Sequence, residues 1–303
     1  MPTIRYITTD VFTGVRFGGN QLAVIPDARG IPEEQLLPIA REFNYSETTF
    51  VYPPEQEGHT RRVRIFTPGG EVPFAGHPTI GTAVVLAATG EIPVQDGEAR
   101  VVFGENVGPV PVVIRGVHAG GDWAQLSAAK MPEIGPPVPS RSTLAKMLRL
   151  GTDDIMATSE RPQAVSCGLP FLIVPLTSVK AVSRSRVSVE RWEETLANAW
   201  ASMIWVYAAD PEGGERHYRA RMYAPGISVP EDPATGSAAV TFAGYLAARS
   251  RVRSGTLAWT VDQGIEMGRP SRLAIEADKA DGAITALRVG GEAVLVAEGQ
   301  MSV

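Results

Sequence analysis

The chain contains two copies of one short motif, and this internal repeat constrains its fold more than any other feature of the sequence. The first copy is His77-Pro-Thr-Ile-Gly-Thr-Ala83 and the second is Glu231-Asp-Pro-Ala-Thr-Gly-Ser-Ala238. Overlaying them pairs His77 with Asp232 at an offset of 232 − 77 = 155 residues. That offset is about half of the 303-residue chain, which is the spacing expected of a duplicated domain.

A second similarity lies upstream of each copy. Arg64-Ile-Phe-Thr-Pro68 resembles Arg221-Met-Tyr-Ala-Pro225 at an offset of 225 − 68 = 157 residues. The length of the chain is suited to two domains of about 150 residues each. We therefore predict two similar halves.

Each copy is typical of a strand, a Pro/Gly turn and the first turn of a helix, and we expect Thr82 and Ser237 at the helix starts. Helix N-termini present unpaired N–H groups and a partial positive charge, so they bind anions. Two such ends facing each other across a cleft would hold a carboxylate, with His77 and Asp232 at the rim. The alternative is that Pro and Gly only interrupt the chain and that the two hydroxyl residues only cap helices.

The composition is that of a globular protein, with 44% hydrophobic and 20% charged residues. The formal net charge is −5 and no long basic run is present, so nucleic acid is not expected as a partner. The N-terminus lacks the layout of a signal peptide and the longest apolar stretches are shorter than a membrane span. We expect a cytoplasmic protein without membrane contact.

The sequence offers little for disulfide or metal chemistry. Cys167 is the single cysteine and lies in an apolar, strand-like run, which favours a buried and inert thiol. His118 and His217 have no second ligand at metal spacing. No metal, nucleotide or flavin is expected, because no Gly-rich phosphate loop is present either.

Along the chain, an opening hairpin is followed by a helix that begins near Glu33 and ends at Asn44, with Pro38 expected to kink it. Ser46–Tyr52 is rich in β-branched and aromatic residues and predicts a strand with Glu47 at its mouth. A glutamate there is either a functional residue or only a solvent-exposed one. Residues 101–126 predict an antiparallel meander.

The Pro-rich stretch Met131–Pro139 is predicted to link the halves. We assign residues 1–125 to the first half and residues 126–291 to the second. Residues 292–303 are expected to return to the first half.

Five motifs together resemble the PhzF-like family of phenazine-biosynthesis proteins, in order and in approximate spacing. They are Gly19-Asn20, Ser46-Glu47-Thr-Thr-Phe50, Phe74-Ala-Gly-His-Pro78, Glu231-Asp-Pro-Ala-Thr-Gly-Ser-Ala238 and Gly268-Arg-Pro-Ser271. The resemblance extends through almost the whole chain. One departure is Gln21, where many members have proline.

The resemblance implies the diaminopimelate-epimerase-like fold, an α/β fold of the α+β type. Such a fold has two pseudo-symmetric halves, each a curled, mostly antiparallel sheet around a central helix. It also implies an isomerase that moves a proton on a small carboxylate substrate, without metal or cofactor, and that pairs into a homodimer.

The catalytic residues implied by the resemblance are Glu47, His77 and Asp232. The implied substrate-binding residues are Ser46, Gly76, Thr235, Gly236 and Ser237. Racemases of the same fold that use two thiols have cysteines where this chain has Ala75 and about Thr235. With Cys167 alone, carboxylate and imidazole groups must move any proton, and Glu47 is the strongest candidate for the base.

Two other classes of function stay open on the sequence. A non-catalytic protein that binds a small ligand or a partner could retain the fold, although it would not need Glu47, His77 and Asp232 together. A lyase or hydrolase could use the same carboxylate.

Overall fold

The computed structural model describes residues 3–116, 122–128, 130–158, 160–227 and 229–303. These residues form two compact units. The first unit contains Met1–Ser127 and Gly290–Val303, and the second contains Ala128–Val289. His118 lies outside the described residues.

The first unit is a curled sheet around one buried helix. Its elements, in chain order, are β1 (Thr3–Val11), β2 (Asn20–Ile25), α1 (Glu33–Phe43), β3 (Glu47–Tyr52), β4 (Arg61–Thr67), β5 (Gly70–Val72), α2 (Gly76–Ala88), β6 (Glu98–Glu105), β7 (Gly108–Arg115) and β8 (Trp123–Ser127). Helix α2 contacts β1, β2, β3, β6, β7 and β8, and every residue from Gly76 to Ala87 is buried. A helix that is apolar all round belongs in a core, so the strands surround it.

The second unit repeats this plan. Its elements are β9 (Glu133–Ile134), α3 (Arg141–Met147), β10 (Gln163–Ser166), β11 (Pro170–Pro175), α4 (Val179–Arg184), α5 (Val189–Thr195), β12 (Met203–Ala209), β13 (His217–Ala224), β14 (Val229–Asp232), α6 (Gly236–Arg249), β15 (Gly255–Gln263), β16 (Ser271–Ala280) and the first part of β17 (Ala283–Ser302). The buried helix here is α6, which contacts β10, β11, β15 and β16.

The two units share one order of strand pairing. From β1 through β2, β3, β4 and β6 to β7, successive pairs are antiparallel, parallel, antiparallel, parallel and antiparallel. From β10 through β11, β12, β13 and β15 to β16, the pairs follow the same order. A short antiparallel strand precedes the central helix in each unit, β5 beside β4 and β14 beside β13. The internal repeat predicted from the sequence is therefore a repeat of structure.

Two equivalent ion pairs, one in each unit, establish which residues of the two units correspond. Arg64 donates from Nε and a terminal nitrogen to the two carboxylate oxygens of Glu71, at 2.8 and 2.6 Å. Arg221 makes the same two contacts with Glu231, both at 2.7 Å. The glutamates are 231 − 71 = 160 residues apart, and the central helices begin at Gly76 and Gly236, again 236 − 76 = 160 apart.

This register corrects the overlay of the two motif copies. His77, the second residue of α2, corresponds to Ser237 and not to Asp232, which ends β14. The prediction that a small hydroxyl residue starts each helix holds for Ser237 and is wrong for Thr82, which lies in mid-helix. Thr82 instead shares a 2.8 Å hydrogen bond with Thr49 of β3, between the two hydroxyl oxygens.

Several local predictions are confirmed. The opening hairpin forms from β1 and β2, α1 ends at Asn44 in a left-handed conformation, and β6, β7 and β8 form the antiparallel meander. Pro38 lies within α1 and does not end it. The Pro-rich stretch is not a linker, because Glu133–Ile134 pairs with β10 inside the second unit. Proline is tolerated beside a short edge strand, so a Pro-rich stretch can still contain one.

Candidate active site

Glu47 and His77 form the centre of a polar cluster in the first unit. Glu47 begins β3, and His77 lies in the first turn of α2. Glu47 Oε2 lies 3.2 Å from His77 Nε2, and the two side chains are 17% and 5% exposed. The hydrogen bond between Thr49 and Thr82 joins the same strand to the same helix, so it supports this approach.

Asn20 and Ser46 extend the cluster on the other side of the imidazole. Asn20 Nδ2 lies 3.2 Å from His77 Nδ1, and the Ser46 hydroxyl donates to Asn20 Oδ1 at 3.4 Å. With the amide in this orientation, Nδ1 of a neutral imidazole accepts and the ring proton lies on Nε2. Nε2 is also the ring nitrogen that lies next to the Glu47 carboxylate, but the two atoms are close without hydrogen-bond geometry.

The imidazole of His77 is neutral at physiological pH. It is fully enclosed, and this burial lowers its pKa to about 3 because the charged form is poorly solvated. A neutral imidazole next to Glu47 presents a dipole and not a full charge. The ring therefore places no positive charge beside Glu47.

We expect the His77 imidazole signal in ¹⁵N NMR spectra to stay in its neutral position from about pH 6.5 down to about pH 4.5, since its pKa is near 3. In urea the same residue should titrate near pH 6.5, the value of an unfolded histidine. The folded state thus gains stability from neutral His77 that is complete above pH 6.5 and lost as the pH falls toward 3. A large step near pH 6.5 in the folded protein would contradict this.

A second buried polar cluster surrounds Asp232 in the second unit. The Thr235 hydroxyl donates to Asp232 Oδ2. Gln263, which is fully buried at the end of β15, donates from Nε2 to the Asp232 carbonyl at 2.7 Å and to Thr235 Oγ1 at 3.1 Å. Its Oε1 accepts from the Thr235 backbone N–H at 3.0 Å. Each proton in this network has one acceptor, so the Asp232 carboxylate is held in a fixed orientation.

The predicted substrate-binding residues lie next to these clusters. Gly76 begins α2, while Gly236 and the partly exposed Ser237 begin α6. Neither N-cap residue, Ala75 or Thr235, donates or accepts a capping hydrogen bond through its side chain. The first turns of both helices are thus built without the side-chain caps that usually occupy their N–H groups, an arrangement suited to an anionic ligand.

The structure brings the predicted residues together within each unit. Ser46, Glu47, Gly76 and His77 belong to the first cluster, and Asp232, Thr235, Gly236 and Ser237 to the second. Sequence reasoning did not assign roles to Asn20 or Gln263. Asn20 stood in a recognised motif and could have been found there, whereas nothing in the local sequence distinguishes Gln263.

Other candidate groups play no part in these clusters. Cys167 is buried, and this burial raises the pKa of its thiol to about 11, as expected of an inert cysteine. His217 is buried between Gly213 and Asp262. Across the described ranges, no three His, Cys, Asp or Glu side chains converge as metal ligands would. In the same ranges, no helix has the length and apolar character that a bilayer span requires.

A family described as "Phenazine biosynthesis-like protein" matches residues 9–299. The chain belongs to this PhzC-PhzF family. It is 38% identical to an uncharacterized isomerase of Mesorhizobium japonicum, with 99% of each chain covered. It is 32% identical to the trans-2,3-dihydro-3-hydroxyanthranilate isomerase of Pseudomonas aeruginosa, with 98% of each covered.

The fold is that of the same family. A PhzF-family phenazine biosynthesis protein of Bacillus anthracis superposes with a TM-score of 0.88 at 24% identity, over 100% of both chains. The fold class predicted from the resemblance is confirmed. The family and its named relatives make this protein an isomerase.

Proposed function

We propose that the protein is a cofactor-independent isomerase that moves a proton on a small carboxylate substrate, with Glu47 as the general base. The approach of Glu47 Oε2 to His77 Nε2 carries this proposal. It supplies a carboxylate that is largely withdrawn from solvent, still partly accessible, and next to a neutral imidazole.

In the proposed reaction, Glu47 takes a proton from one carbon of the substrate and returns a proton to another carbon of the same molecule. No atom is gained or lost, and no oxidant or reductant is needed. His77 lies beside Glu47, with Nε2 3.2 Å from Oε2, and Asn20 holds the ring by its other nitrogen. Asp232, held by Thr235 and Gln263, positions or polarises the substrate.

Substrate binding is proposed for the backbone N–H groups at the starts of the two central helices, Gly76 in α2 and Gly236 and Ser237 in α6. No N-cap side chain makes a capping hydrogen bond at either helix start, and this supports the role. An anionic ligand can then interact with the partial positive charge of the first turn. The remaining proposed substrate-binding residues are Ser46, next to Glu47, and Thr235, next to Asp232.

The name of one relative supports a proposal for the substrate class. The Pseudomonas aeruginosa relative is named for an unsaturated, amino- and hydroxyl-bearing carboxylic acid, trans-2,3-dihydro-3-hydroxyanthranilate. Such a compound has a C–H bond that the neighbouring unsaturation acidifies and a carboxylate for the helix ends. We propose that the substrate here is a small unsaturated or amino carboxylic acid of this kind.

We expect the protein to incorporate deuterium from D₂O into trans-2,3-dihydro-3-hydroxyanthranilate or another member of a panel of small unsaturated and amino carboxylic acids. Proton NMR and mass spectrometry of the recovered acid detect the exchange. Exhaustive treatment with a chelator is expected to leave the rate unchanged. Loss of exchange after chelation, with recovery on adding a metal ion, would contradict the cofactor-independent mechanism.

The same screen distinguishes the rival functions. A protein that only binds a ligand would show affinity for a panel member without any exchange. A lyase or hydrolase would change the mass of the recovered acid by more than deuterium accounts for.

A further inference from the structure

A buried carboxyl group lies behind the first turn of α2 and has no part in the proposed reaction. It belongs to Glu105, the last residue of β6, which is only 6% exposed. Glu105 Oε1 lies 2.6 Å from the hydroxyl oxygen of Thr79. Its Oε2 is buried and has no hydrogen-bond partner among the described residues. An ionised carboxylate in this position would leave a charged oxygen unsolvated, at a high cost in free energy.

The proton count at Thr79 indicates that Glu105 is neutral. Thr79 Oγ1 lies 2.8 Å from the carbonyl oxygen of Ala75 as well as 2.6 Å from Glu105 Oε1. A threonine hydroxyl has one proton, and a carbonyl oxygen can only accept. Both contacts are satisfied together when Glu105 carries a proton and donates it to Thr79, while Thr79 donates to Ala75. Burial supports this assignment, because it raises the pKa of Glu105 to about 8.

Thr79 connects this carboxyl group to the start of α2. Ala75 is the N-cap residue of that helix and directly precedes Gly76 and His77. Its carbonyl accepts from the Thr79 backbone N–H at 3.4 Å, a long contact, and from the Thr79 hydroxyl at 2.8 Å. The side-chain hydrogen bond is the shorter of the two, so it contributes directly to the position of the first turn.

Arg62 of β4 is the charged group that acts on Glu105 from a neighbouring strand. Its guanidinium donates to the Gly104 carbonyl at 2.9 Å and to the Asn106 side chain, and its Nε lies 3.3 Å from Glu55 Oε2. Asn106 also donates to Glu71 at 2.9 Å. The arginine is thus engaged with other acceptors, and it lowers the pKa of Glu105 less than burial raises it.

We propose that Glu105 is a positioning residue that works in its neutral form, holding the first turn of α2 through Thr79 for His77 and for the substrate carboxylate. The part that concerns the substrate rests on the function proposed above. The part that concerns the helix start does not.

Ionisation of Glu105 would have two consequences at the helix start. The single proton of Thr79 would turn toward the carboxylate, because hydrogen bonds to charged acceptors are the stronger ones. The Ala75 carbonyl would then lose its short contact. A negative charge would also stand beside the first turn of α2, which carries the Gly76 N–H proposed for substrate binding, and like charges repel strongly in a poorly solvated interior.

The first test is NMR of protein labelled with ¹³C at the histidine Cε1 position, which gives one signal for each of the four histidines. His77→Gln assigns the signal. His77 does not itself ionise in this range, since burial keeps its pKa near 3. We expect its signal to move with a midpoint near pH 8 in the wild-type protein, and this step to be absent in Glu105→Gln, whose amide donates to Thr79 at every pH. Glu98→Gln, at the other end of β6, should keep the step.

The second test uses turnover of the panel acid that exchanges, with trans-2,3-dihydro-3-hydroxyanthranilate as the first choice. In the wild-type protein KM should rise about tenfold between pH 7 and pH 9, with kcat less affected. Glu105→Gln should remove most of this rise. Thr79→Val, which breaks the link, should raise KM throughout the range, whereas Thr89→Val, which removes the equivalent hydroxyl contact at the far end of α2, should not.

The two tests separate the two proposals. A flat His77 signal in the wild-type protein, or an unchanged step in Glu105→Gln, would overturn the role of Glu105 whatever the enzyme does. The expected NMR step without turnover of any panel acid would support the role of Glu105 at the helix start and count against the proposed function.

Discussion

Replacing Glu47 by glutamine is expected to lower the rate of proton exchange by about a hundredfold or more, the usual scale for loss of a general base. Glutamine has nearly the shape of glutamate and keeps a polar group next to His77 Nε2. The fold and the affinity for a carboxylate should therefore survive. Deuterium uptake measures the first property, and calorimetric titration with the responding panel acid measures the second.

Glu42→Gln is the matched control for this variant. Glu42 lies five residues earlier, near the end of α1, and its side chain is exposed, so its exchange rate should equal that of the wild-type protein. If Glu47→Gln turns over the panel acid nearly as fast as the parent, Glu47 is not the base. If the Glu47→Gln variant loses both exchange and all binding of the acid, Glu47 acts in holding the substrate. The proposal that Glu47 is the base while other residues bind the carboxylate is then wrong.

The repeated fold could be predicted from the sequence because both copies retain the same succession of strands and a helix. The register of the repeat could not. Helix α2 is buried on all sides, so its apolar residues have no phase that marks where it begins. Judged by the local sequence alone, Gly76 and Gly81 are equally good helix starts. Overlaying the two motif copies selected Gly81, whereas α2 begins at Gly76. The ion pairs of Arg64 and Arg221 fix the register only once strand pairing is known.

The candidate site likewise contains some residues that the sequence could identify and others that it could not. Glu47 and His77 could be singled out because an acidic residue at the mouth of an apolar strand and a histidine before Pro are locally unusual. Gln263 and Glu105 could not be singled out, because their partners lie 28 and 26 residues away along the chain. Only the folded sheet brings these groups next to Thr235 and Thr79. Polar residues whose role is to hold other residues carry no local pattern of their own.

The two ion pairs of the repeat are the same contact with different degrees of burial, so they can be compared directly. Arg64 and Arg221 each bind a glutamate through the same pair of nitrogens, and each guanidinium carbon lies 5.2 Å from the centre of an aromatic ring two residues on. Their side-chain exposures differ, 19% for Arg64 and 2% for Arg221. Arg221 alone also donates to three main-chain carbonyls at the end of α4, those of Val182, Ser183 and Ser185.

We expect Arg221→Met to lower the free energy of unfolding by about 3–5 kcal/mol, because removing one partner of a buried pair leaves the other unpaired. Glu231 would lose both hydrogen bonds from the guanidinium, and three carbonyls at the end of α4 would each lose one of their donors. Arg64→Met is the matched control and should cost about 1 kcal/mol or less, since Glu71 and Glu33 can turn to water. Urea unfolding followed by circular dichroism gives both values. Equal losses in the two variants would mean that burial does not determine the strength of this contact.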